Sequence, residues 1–151
     1  MTDLKKASVA NLCPSAPSDS EEGFVFGMVS GTIDEPKISY LKESQPSHKL
    51  ISKVGSRVEP GEVLRIAAPC EEKSCQHLNG QDCRLVKRVV EDLPVVAENL
   101  PPCAIRRHCQ WWNQEGISAC LRCPQVITRN YRPSKLMIKV AAPQPYIEKN
   151  F

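Results

Sequence analysis

Cys103, Cys109, Cys120 and Cys123 follow one another with the spacing C-x5-C-x10-C-x2-C, and Pro124 comes directly after the last of them. Both tryptophans of the chain, Trp111 and Trp112, lie inside this stretch. Three further cysteines, Cys70, Cys75 and Cys83, form a compact C-x4-C-x7-C loop, and Cys13 stands apart near the start. Thiolates favour soft and borderline metals, so thiols grouped in this way point to zinc or to iron–sulfur clusters. Residues 1–10 hold no apolar run long enough for a signal peptide, and no window approaches the length of a membrane span. The chain therefore reads as a cytoplasmic protein with no membrane partner, in a compartment where thiols stay reduced.

The spacing discriminates between the two metals. Structural zinc commonly uses paired C-x2–4-C knuckles. Only Cys120 and Cys123 make one, and Cys103 and Cys109 lie too far apart to make the other. An iron–sulfur cube is a larger body that accepts irregular spacing and ligands carried on helices. The Cys120-x2-Cys123-Pro124 ending resembles the tail of a bacterial ferredoxin half-motif, in which proline follows the last ligand. That resemblance implies a 4Fe–4S centre and electron transfer. The family's compact C-x2-C-x2-C-x3-C-P run is absent here, so its fold is not implied.

Cys103, Cys109, Cys120 and Cys123 are thus expected to hold a principal cluster, and Cys70, Cys75 and Cys83, with Cys13, a second. One or two iron–sulfur clusters per chain follow, with zinc as the alternative. His77 lies two residues after Cys75 and is a candidate ligand in place of a thiolate. His108 precedes Cys109 and on a helix would point elsewhere. One of the two tryptophans is expected to pack over the centre and keep water from it.

Other chemistry is thin. The chain has no Gly-rich phosphate loop, no G-x-S-x-G elbow and no H-E-x-x-H pair. Its formal net charge is +3, and the excess sits with the cysteines: residues 70–151 hold 12 Lys/Arg against 8 Asp/Glu, whereas residues 1–69 hold 8 against 9. Such an excess fits either nucleic acid or the balancing of an anionic thiolate centre. The second reading is preferred, because the cations form no single run.

The elements that must position these residues follow from periodicity. Residues 1–22, with Pro14, Pro17 and several serines, read as a flexible leader. Phe24 to Val29 alternates as a strand with Phe24, Phe26 and Met28 on one face. Lys37 to Leu41 pairs with it as a hairpin, and Glu62 to Ala68 is a third strand. Ser47 to Val54 reads as a short helix. Arg84 to Leu93 is the clearest helix, with Leu85, Val86, Val89, Val90 and Leu93 on one stripe and Asp82 as its expected cap. A second helix is expected from Ala104 to Glu115, placing Ile105, Cys109 and Trp112 on one face and ending at Gly116. Leu136 to Val140 alternates and is expected to be a final strand, and 141–151 a tail.

The expectation is one α+β domain over residues 23–140. A small antiparallel sheet of three or four strands packs on a helix, and a cysteine-rich helical lobe binds metal. The function expected of it is electron transfer to a redox protein, or service as an accessory to a redox enzyme, rather than catalysis. A zinc-stabilised interaction or nucleic-acid-binding module is the alternative. A third reading is an enzyme with a three-cysteine cluster and an open iron site.

Overall fold

The computed structural model describes residues 11–70, 77–79 and 82–142. Strands β1 (Leu12–Cys13), β2 (Phe24–Gly31), β3 (Pro36–Pro46) and β4 (Leu64–Pro69) form one antiparallel sheet in the order β1-β4-β2-β3. Between the strands lie two short helices, α1 (Ser47–Ile51) and α2 (Pro60–Val63). A two-residue ladder, β5 (Leu78–Asn79) with β6 (Asp82–Cys83), leads into α3 (Arg84–Asp92). The rest is helical: a 3-10 turn at Arg106–His108, α4 (Gln110–Glu115), α5 (Ile117–Cys120), a 3-10 turn at Cys123–Gln125, and α6 (Lys135–Ala141). The fold is α+β, as the periodicity implies.

The hairpin of β2 and β3 turns where expected. Gly31 has φ 76° opposite Pro36, and a Cβ there would sit 2.5 Å from the Glu35 carbonyl oxygen. Glycine alone meets both conditions without strain. A bulge between Val25 and Gly27 shifts the register against both neighbours. The start of β2 is buried through Phe24, Val25, Phe26 and Gly27, so it is covered on both faces rather than half-exposed, and Met28 faces out.

Both sides of the sheet are covered because β4 alternates two kinds of contact. Leu64, Ile66 and Ala68 pack with Val25 and Ala16 beneath α1 and α2, against Leu50, Ile51, Val54 and Val63. On the opposite side Ala67 joins Leu12, Phe26, Val86, Val89, Leu93, Ile105, Trp111 and Ala119 in the larger core. The α3 stripe thus buries the residues its 3.6-residue period selects. Its N-cap is Cys83, which makes no side-chain cap bond, and not Asp82, which is exposed.

Three expectations are corrected. Residues 11–20 do not behave as a mobile leader. Leu12 is 0% exposed, pairs with Pro69 and bridges in parallel to Cys109, while Ala16 N–H donates to the Ile66 carbonyl at 3.0 Å. Leu136 to Val140 is not a strand but lies in α6. Ser134 Oγ accepts from Met137 N–H at 3.1 Å, and Met137 and Val140, at helical spacing, face the core. The fourth strand is β1 instead. The helix expected over 104–115 is broken, because Cys109 is extended at φ −81°, ψ 127° where its backbone meets Leu12. Ile105, Cys109 and Trp111, rather than Trp112, are the residues turned inward. Residues 1–10 of the expected leader and 143–151 of the expected tail lie outside the described residues.

Candidate metal centre

Three of the four later cysteines stand at the ends of short elements. Cys103 follows Pro101-Pro102, whose fixed φ keeps the approach extended. Cys109 is the N-cap of α4, Cys120 closes α5, and Cys123 opens the second 3-10 turn. Gly116, at φ 66°, lets α4 turn directly into α5, so Cys120 comes back toward Cys109. The elements are too short to be stable alone and are held by packing against the sheet.

The four cysteines line one apolar pocket with a cavity volume of about 20 Å³. Its remaining wall is Pro14, Phe26, Tyr40, Ile105, Arg106, Trp111 and Ala119. Cys109 lies deepest at 6% exposure, and the other three are half-buried. Among the described residues no three His, Cys, Asp or Glu side chains converge closely enough to hold a single metal ion.

Burial sets the electrostatics of three of these thiols. Burial pushes the Cys103 thiol up to about 11, and the neighbouring Cys123 adds to the push while the Ile105 amide and Arg106 oppose it. Cys109 is driven higher still by burial, only partly offset by the amides of Trp112 and Trp111 at the start of α4. Burial raises Cys120 too, against a hydrogen bond from Arg106. Burial thus disfavours the thiolate form at Cys103, Cys109 and Cys120.

Arg65 was not singled out by its sequence position, yet it is the fully buried cation of the site, at 0% exposure in the middle of β4. Its Nε and Nη2 donate to the Pro14 carbonyl at 3.2 and 3.0 Å, and its Nη1 to the carbonyls of Cys123 and Val126 at 2.7 and 2.9 Å. Nη2 also donates to Cys123 Sγ at 3.1 Å. The guanidinium lies 5.3 Å from the Phe26 ring centroid and 5.9 Å from that of Trp111. The signal in the sequence was an arginine between Leu64 and Ile66, in a strand otherwise wholly apolar.

Two more side chains reach the same wall. Arg106 stacks over Trp112 at 5.6 Å and donates to the Pro101 carbonyl. Tyr40 borders the space beside Phe26, its phenol pushed up first by burial and then by the Cys123 thiol, so it stays protonated. Among the described residues, Trp111 Nε1 and Arg106 Nε are buried donors without an acceptor. Both belong to residues that line the space, and a ligand rich in sulfur would supply acceptors there.

The other candidates lie elsewhere. Cys13 sits on β1 opposite Ala68, and Cys70 N–H donates to the Asn11 carbonyl at 2.7 Å, so both are at one end of the sheet. Cys83 is buried at the end of β6, where its N–H donates to Gln114 Oε1 at 2.7 Å. None of the three borders the space described above. Cys75 lies outside the described residues. His77 is lowered by burial and by Arg88, whose Nη2 donates to Nδ1 at 2.9 Å. The ring is neutral with its lone pair on Nδ1 already engaged, so ligation there would have to displace Arg88. His108 does not border the space. Among the described residues no helix is long and apolar enough to cross a membrane. Comparison of the chain with family models, with curated proteins and with solved structures finds no match.

Proposed function

We propose that the chain carries a 4Fe–4S cluster on Cys103, Cys109, Cys120 and Cys123 and passes electrons to a redox protein, as a carrier or as an accessory to a redox enzyme in the cytoplasm. The observation that supports this is four thiols around one shared space, with a buried guanidinium on one of the sulfurs. A tetrahedral zinc ion holds thiolates at about 2.3 Å and so draws their sulfurs to within roughly 3.8 Å of one another. A cube takes its thiolates at the corners of a larger body and accepts the irregular C-x5-C-x10-C-x2-C spacing of these four.

Bound there, the cluster would supply one-electron chemistry. The chain's own residues have three tasks. The four thiolates bind it. Pro14, Phe26, Ile105 and Trp111 form an apolar wall that excludes water from it. Trp111 Nε1 and Arg106 Nε, left without protein acceptors, offer donors to it. A second cluster on Cys13, Cys70, Cys75 and Cys83 is carried by sequence spacing alone.

The test is a visible spectrum of anaerobically purified protein, with iron, sulfide and zinc quantified on the same sample. A brown solution with a broad band near ~400 nm and matched iron and sulfide, about four or eight per chain, supports one or two clusters. A colourless protein holding zinc refutes the proposal and leads to a zinc-stabilised binding module, examined for nucleic-acid binding across a salt series.

A further inference from the structure

Among the described residues Arg65 has no carboxylate acceptor, although a fully buried guanidinium ordinarily needs an anion. Both ion pairs among the described residues, Arg132–Asp34 and Lys139–Asp92, lie elsewhere. Three carbonyl oxygens and one sulfur occupy its five N–H groups, and only the Cys123 sulfur can ionise. The fork is held in place from two separate segments, at Pro14 and at residues 123–126, and two aromatic rings lie near it. Lysine could not replace it, because one ammonium cannot reach the Pro14, Cys123 and Val126 carbonyls and the sulfur together.

We propose that Arg65 is a positioning residue that fixes the reduction potential of the centre at Cys123. This rests on the cluster reading above. The step concerned is transfer of one electron from a reduced carrier protein to the cluster, with no bond formed or broken and no proton taken up. The added electron makes the centre more negative. A permanent cation at hydrogen-bond distance, in a site with an apolar wall, stabilises the reduced form more than the oxidised one. Its hydrogen bond also draws density from the ligating sulfur, in the same direction. Arg65 therefore holds the potential above the value the four thiolates alone would give.

The experiment compares wild-type protein with Arg65→Lys and Arg65→Gln after anaerobic reconstitution with iron and sulfide. Iron and sulfide per chain are measured first, then the potential by spectroelectrochemistry. In the iron-loaded fraction both variants are expected to show a more negative potential, Arg65→Gln shifting further. An unchanged or more positive potential in that fraction overturns the role of Arg65. Failure of wild-type protein to take up iron is a different result and overturns the cluster reading itself. A second measurement does not depend on the Arg65 variants folding: pulsed EPR on the reduced cluster of Arg106→Lys protein labelled with 15N-arginine. There Arg65 is the one guanidinium placed on a tetrad sulfur, and a 15N coupling is expected. Its absence overturns the proposal.

Discussion

Leu12→Ala tests whether the segment before the hairpin is part of the core. The side chain is 0% exposed and packs in the larger cluster with Phe26, Ala67, Ile105 and Trp111. Truncating a fully buried leucine typically costs 2–5 kcal/mol, depending on how far the site collapses. β1 is a two-residue edge strand with room to close in, which places the cost near the middle of that range, at about 3 kcal/mol. For a chain of this size each kcal/mol lowers the melting temperature by roughly 2–4 °C, so the metal-free variant should melt about 6–12 °C below its parent. Asp19→Ala, at an exposed position in the same segment, should stay within about 0.5 kcal/mol. Circular dichroism melts of the three proteins read this directly. Because Leu12 also bridges to Cys109, Leu12→Ala should retain less iron after reconstitution. A melt within about 2 °C of the parent would show that residues 11–16 are not docked as described.

Cys120→Ser should lose most of the reconstituted iron while keeping the circular dichroism of the sheet, since Cys120 borders the space from the end of α5; iron assay checks it. Equal iron losses in Cys13→Ser and Cys75→Ser would establish a second tetrad, whereas full iron in Cys13→Ser would confine the centre to the later four cysteines. Gly31→Ala forces a positive φ and a 2.5 Å approach to the Glu35 carbonyl oxygen, for a loss of about 2 kcal/mol in urea unfolding with iron content unchanged. In the metal-free protein, raising the Cys103 thiol from 9.0 to about 11 means its protonated form favours the fold. That stability is complete below pH 9 and is lost as pH rises toward about 11. The urea midpoint should therefore fall over that window, and fall less in Cys103→Ala.

What was legible in the sequence is what repeats. The stripe of α3 spans more than two turns, and the β2–β3 hairpin joins two strand-forming runs across a glycine turn, so each carries its own signal. β1 has two residues, too few to show any period, and exists because Leu12 finds Pro69 and Cys109 at once. The same contact broke the expected helix at Cys109, a tertiary bond overriding a local preference. α6 alternates and is helical together: Met137 and Val140 satisfy the three-residue spacing, and the Ser134 cap decides the matter. That Cys103, Cys109, Cys120 and Cys123 share one pocket was legible because thiols are rare and these four lie close in sequence. The pocket's counter-charge was not, because a strand buried on both faces gives no reason to expect a cation. That conflict between residue and place marks β4 as the strand tying the sheet to the thiols. Leu64 and Ile66 hold it on one face, while Arg65 between them reaches Pro14, Cys123 and Val126 on the other. Removing Arg65 should therefore do more than shift a potential. It strips the donors from three buried carbonyls at once, each costing about 1–3 kcal/mol if left unpaired. Arg65→Gln should accordingly melt well below wild type in the metal-free protein, and an unchanged melt would mean that those carbonyls find other partners.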